Sequence, residues 1–144
     1  MKNEKILIMK QKKMWMLPAI GKSNVKPSDR NKSEIENRCQ PLIECFKQQY
    51  IKKNPDKQFN YLIDVFIKWR GNYLHFCGKY KSEQQGMIKR EFEESFVRLE
   101  YVGIDNFNFS YFRHTEKWFP VANNLILNDC LELMESNPNF HPID

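Results

Sequence analysis

Between Phe59 and Trp69 every odd-numbered residue is apolar or aromatic: Phe59, Tyr61, Ile63, Val65, Ile67 and Trp69. A period of two sustained over that length does not fit a helix face and demands a half-buried β-strand. Gly71-Asn72 follows, a pair suited to a two-residue hairpin because both residues tolerate positive φ. Counting outward from that turn sets Trp69 against Leu74, Ile67 against Phe76, Val65 against Gly78 and Ile63 against Tyr80. On the other face Lys68 meets His75, Phe66 meets Cys77 and Asp64 meets Lys79. Apolar residues face apolar ones and an acid faces a base, so turn and register agree.

The alternation returns twice more. A third strand is expected over Ser95–Val102, with Val97, Leu99 and Tyr101 on one face. A fourth is expected over Phe107–Arg113, with Phe107, Phe109 and Tyr111 alternating. Their faces match only across an odd number of residues, either Ile104 to Asn106 or Val102 to Asn106, with Gly103 or Asn106 at positive φ. A tight turn at Thr115-Glu116 then leads to a short strand, Lys117–Val121, in which Trp118 lies opposite Arg113 and stacks on it. Pro120 marks that strand as an edge. Residues 81–92 are polar, contain Gly86 and read as a long connection.

Helical periods bracket this run of strands. Ile35, Cys39, Leu42, Ile43, Phe46 and Tyr50 fall on one helix face behind a capping box of Ser33 and Glu36. Pro41 predicts a kink, or a helix that starts near it, and Asn54-Pro55-Asp56 predicts its end. Leu127, Cys130, Leu131 and Met134 define a second helix over about Leu125–Ser136, stopped by Asn137-Pro138. The expected fold is α+β: an antiparallel five-stranded meander sheet flanked by an N-terminal and a C-terminal helix.

The net charge of +5 is unevenly placed. Residues 1–32 carry nine Lys/Arg against Glu4 and Asp29, so 9 − 2 = +7, and residues 33–144 carry 14 basic against 16 acidic side chains, so 14 − 16 = −2. Residues 1–32 therefore read as a basic, flexible N-terminal arm, and 33–144 as a single domain. A cluster at Trp15-Met16-Leu17 is placed to dock on the body, and Met9, Met14 and Met16 offer downstream starts. None of Cys39, Cys45, Cys77 and Cys130 lies in a CxxC, and the apolar run Ile6–Met9 is too short for a secretory signal, so reduced thiols and a cytoplasmic location are expected. No stretch approaches the roughly 20 apolar residues of a membrane span.

Several segments together resemble a bacterial family of unknown function, the domain family numbered 3024. They are an N-terminal helix, an aromatic strand ending in Gly71-Asn-Tyr-Leu-His-Phe76, the stretch from Phe96-Val-Arg-Leu-Glu-Tyr101 through Phe109-Ser-Tyr-Phe-Arg113 to Lys117-Trp-Phe119, and an acidic helix closing on Asn137-Pro-Asn-Phe140. The resemblance covers about residues 33–142. It implies a fold and no activity, cofactor or catalytic residue.

No phosphate loop, dinucleotide fingerprint, HExxH or nucleophile elbow is present. His75 and Cys77 share a strand face, but two ligands do not make a metal site, and neither a metal nor a cofactor is expected. His114 beside Glu116 at a turn, or His75, would be the acid–base group of a small enzyme. The second sheet face is expected to present Asp64, Phe66, Lys68, His75, Cys77, Lys79, Phe96, Arg98, Glu100, Asn108, Ser110, Phe112 and Phe119. Phenylalanines interleaved with cations suit the stacking of bases over a backbone-binding surface. Cover by a helix, by the Trp15 cluster or by a second subunit is the competing account of the same rings. The expected function is a non-catalytic binding module, with Phe66, Lys68, His75, Lys79, Arg98, Phe112, Arg113 and His114 as binding residues and nucleic acid as ligand through arm and face. The alternatives are a protein-interaction or self-associating homodimeric domain, and a small enzyme.

Overall fold

In the computed structural model, which describes residues 25–84, 86, 88–112 and 116–142, a long helix α1 (Asp29–Tyr50) precedes five strands. These are β1 (Tyr61–Arg70), β2 (Tyr73–Ser82), β3 (Arg90–Gly103), β4 (Asn106–Phe112) and β5 (Trp118–Leu125). A second helix, α2 (Leu127–Ser136), and a 3-10 turn (Pro138–Phe140) complete the chain. The sheet is antiparallel throughout in the order β1-β2-β3-β4-β5, the expected α+β meander.

α1 starts earlier than its sequence suggests. Ser28 is the N-cap, its Oγ accepting from the Asn31 N–H at 3.1 Å, and Asp29 stands in the first turn, where the helix dipole favours a carboxylate. Ser33 and Glu36, expected to cap it, lie inside the helix, and α1 begins within the segment read as an arm. The helix also runs through Pro41 as one element, which excludes a start there. Pro41 is exposed, so its missing N–H falls on the solvent side, away from the buried stripe of Ile35, Cys39, Leu42, Ile43 and Phe46. The remainder of the arm and the Trp15 cluster lie outside the described residues.

The hairpin register is as counted for Trp69, Lys68, Ile67, Phe66, Val65 and Asp64 with their partners. One pair differs: Tyr80 meets Leu62, because Ile63 is a bulge residue. The extra residue turns Leu62, 2% exposed, into the core. Gly78 is required here, because a Cβ on it would stand 2.9 Å from both Leu62 Cδ1 and Tyr80 Cε2. Phe59, placed in the strand by its period, is outside it and 65% exposed.

β3 is longer than expected and bulges twice. Phe76 pairs with Val97 and Cys77 with Ser95, which leaves Phe96 as the extra residue. Phe96 was expected on the second face; the bulge sends it to the helices, where its ring meets Phe46 at 6.0 Å and Phe76 at 6.5 Å. A second irregularity at Val102 lets Tyr101 face Phe107 while Gly103 faces Asn106, so five residues separate the matched faces. Positive φ falls on Asp105 (48°), not on Gly103 or Asn106. Trp118 pairs with Phe112, not Arg113, and this register sets Phe119, expected on the second face, against Tyr111 on the helix-covered side; β5 is the expected edge strand.

Both helices cover the same sheet face, and one core joins α1, α2 and the strands. Asp105 fastens this layer. Ile126, the N-cap residue of α2, has no side-chain cap, and Asp105 Oδ1 accepts from the Leu127 N–H at 2.9 Å instead. Arg38 of α1 reaches the same carboxylate at 3.9 Å and donates to Asn128 Oδ1 at 2.6 Å. No described helix is long and apolar enough to cross a membrane.

Two stability measurements follow. Gly78→Ala should destabilise the protein by about 1–3 kcal/mol in urea unfolding, since the buried Leu62 and Tyr80 side chains must both shift. Asp105→Ala should cost about 1–2 kcal/mol through the lost cap and the strained left-handed residue, whereas Asp105→Asn should keep most of the stability.

Candidate functional site

With both helices on one side, the other sheet face must shield its own polar contents. The hairpin places Tyr73 and His75 on this face of β2, and register places Arg98 of β3 opposite His75. Arg98 lies flat between two rings, its Cζ 4.5 Å from the Tyr73 centroid and 4.4 Å from that of Trp118. Trp118 in turn meets His75 edge-on at 5.5 Å and Phe112 at 5.3 Å. A guanidinium held between aromatic faces gains cation–π attraction and loses conformational freedom. Its Nε is buried without a hydrogen-bond partner among the described residues.

His75 is 8% exposed, contrary to a surface histidine, because Trp118 and Arg98 lie over it. Its Nδ1 is 2.6 Å from Ser95 Oγ. Burial, then the charges of Arg70, Arg98 and Lys68, push its pKa down to about 4, so the ring is neutral at pH 7. Cys77, buried beside it, has its thiol pKa raised chiefly by the same burial. Among the described residues no three His, Cys, Asp or Glu side chains converge to hold a metal ion. All four cysteines are unpaired.

Of the expected binding residues, His75 and Arg98 thus meet in one cluster and Phe112, 38% exposed, borders it. Phe66 is half-buried with the Lys68 ammonium 5.8 Å from its ring centroid. Lys68 pairs with Glu93 at 2.9 Å and Lys79 with Glu91 at 3.2 Å. Arg113 and His114 lie outside the described residues.

Sequence reasoning missed Tyr73 and Ser95, and it set Trp118 on Arg113 where the structure sets it on Arg98. Tyr73 was accessible to it, since it shares a strand face with His75. Ser95 reaches His75 only because the Phe96 bulge reverses its side. It also missed a cleft of about 360 Å³ at the end of β4, walled by Tyr80, Phe96, Tyr111 and Phe112 on the sheet and by Pro138, Asn139, His141 and Pro142 of the tail, with Glu94 and Ser95 at its rim. The tail is fixed there by His141, whose Nδ1 lies 2.6 Å from the Tyr50 hydroxyl and whose Nε2 lies 3.0 Å from the Glu135 carbonyl oxygen. The histidine was legible as a residue; its partners, one on α1, were not.

The depressed pKa of His75 makes stability depend on pH. Between about 6.5 and 4 the unfolded chain binds the proton that the folded one refuses, so stability is full above that window and falls as pH drops through it. His75→Gln should flatten the wild-type slope in this window, as read from urea midpoints at successive pH values.

No curated protein and no solved structure matches the chain. A family model described as "Domain of unknown function (DUF3024)" matches residues 27–142. The match starts ahead of the Ser28 cap and so takes in the whole of α1, the sheet, α2 and the closing turn. The chain belongs to the DUF3024 family.

Proposed function

We propose that this domain is a non-catalytic binding module and that its ligand is single-stranded nucleic acid laid against the open sheet face. The observation that carries this reading is the Tyr73–Arg98–Trp118 sandwich with Phe112 against its outer edge. It is a rigid aromatic surface, and Phe112, 38% exposed, extends it toward solvent. Flat bases stack on such rings without sequence preference. The ion pairs of Lys68 and Lys79 are exposed, and pairs of that kind contribute only about 0–1 kcal/mol, so they exchange readily for phosphate. Proton chemistry is disfavoured at His75, because taking a proton from Ser95 would place a further cation among Arg70, Arg98 and Lys68. The lysines of residues 1–24 add sequence-independent attraction to the same ligand.

The test is fluorescence anisotropy of a labelled single-stranded oligonucleotide at two salt concentrations with the full chain. Parallel titrations use Phe112→Ala and a variant with Lys2, Lys5, Lys10, Lys12, Lys13 and Lys22 replaced by Gln. Salt-sensitive binding should survive the six-lysine replacement and weaken by about 1–3 kcal/mol in Phe112→Ala. Binding that vanishes with the six lysines, or no binding at all, overturns the reading.

A protein-interaction or self-associating role has its own observation, Phe119 exposed on the edge strand β5. Sedimentation of the full chain against Phe119→Ser separates this reading: it requires a concentration-dependent dimer that the substitution abolishes.

A further inference from the structure

β3 runs from Arg90 to Gly103, but among the described residues its pairing with β4 begins only at Val97. Residues 90–95 are paired with β2 on one side and, among the described residues, with no strand on the other. A strand paired on one side presents alternate N–H and C=O groups outward, which is the template used in strand addition. At its inner end this edge opens into the cleft of about 360 Å³ beside Phe96, Tyr111 and Phe112. That volume is at the small end of ligand pockets and suits one or two side chains, not an extended small molecule.

The charge of the edge selects its partner. Arg90, Glu91, Glu93 and Glu94 give this stretch a net −2. Glu91 and Glu93 are met by Lys79 and Lys68, whereas Glu94 at the cleft rim is exposed with no ion-pair partner among the described residues. A second copy of this chain added antiparallel at the same edge would bring these glutamates against one another, which is repulsive in a strand pair. The cleft walls are aromatic and its rim is anionic, so the complementary partner is cationic with an apolar anchor.

We propose that residues 90–95 and the adjoining cleft bind an extended basic peptide as an added strand, with one apolar side chain in the cleft and a Lys or Arg on Glu94. Phe112 borders both this surface and the open face, but affinity here comes from backbone pairing and Glu94, not from the Arg98 sandwich.

The probe is a labelled heptapeptide of alternating Lys and Val with a central Tyr, titrated into the full chain. The same peptide with alternate backbone nitrogens methylated is titrated beside it. The methylated form keeps charge and composition but loses the donors needed for pairing. Binding should weaken about tenfold or more on methylation and likewise in Glu94→Lys, while Glu34→Lys on distant α1 should leave it unchanged. Amide hydrogen exchange at residues 90–95 should slow when the peptide is added. Equal binding of the methylated peptide overturns the proposal, as do equal effects of Glu94→Lys and Glu34→Lys. No binding, or a peptide-independent dimer that protects the same amides, overturns it too. Thermal unfolding of both variants separates a lost contact from a lost fold.

Discussion

The bulge at Phe96 is the constraint on which the two sides of the sheet both depend. One extra residue between Ser95 and Val97 lets β3 present Phe96 and Val97 together to the helices, both buried, while Ser95 turns to His75. Without it, strict alternation would place Phe96 among polar groups and deprive Phe46 of a ring contact. Among the described residues the last pair between β3 and β4 is Val97 with Tyr111, next to the bulge. The core contact, the His75–Ser95 pair, the cleft and the open edge of β3 are therefore consequences of one inserted residue, as bulges re-aim side chains and end pairing.

A sheet covered by helices on one face only has to solve the opposite face with side chains. Here the solution is a short-range lid. Trp118 reaches back from β5 over Arg98 and His75, and Tyr73 closes the other side of the guanidinium. The lid explains why His75 is buried on a face that no described helix covers, and Cys77 is buried beside it. It also fixes their chemistry. Burial and surrounding positive charge keep the imidazole neutral, and burial keeps the thiol protonated against the opposing pull of Lys68 and Arg70.

What was legible in the sequence was local and periodic. Six cross-strand pairs of the β1–β2 hairpin follow from a two-residue turn and a period of two, and the buried stripe of α1 follows from its apolar spacing. What was illegible was each place where one residue breaks the count. Ile63, Phe96 and Val102 are ordinary strand residues by type, and nothing about them announces a bulge; the need to fit Leu62 and Phe96 into a three-dimensional core selects it. The start of α1 was misplaced for a different reason. Ser33-Glu36 and Ser28 are both acceptable caps, and the longer helix prevails because Asn31 and Lys32 are then able to reach Tyr101 and Trp69 on the sheet. Such contacts span distances that no local pattern reports.

Residues 1–32 carry +7, whereas residues 33–144 sum to −2. Many charges of the folded part fall in pairs, with exceptions at the candidate surfaces. Lys68 and Lys79 are set against Glu93 and Glu91, and Glu83 gathers Lys57, Lys81 and Lys89 while accepting the Tyr61 hydroxyl. The exceptions then carry the information. Among the described residues Arg98 is held by rings and has no acidic partner, and Glu94 has no ion-pair partner at the mouth of a cleft. One lies on the open face and the other at the edge of β3, so their opposite charges favour different ligands at different places. At these two places Arg98 and Glu94 offer a partner an interaction that the described part of the free protein does not already make.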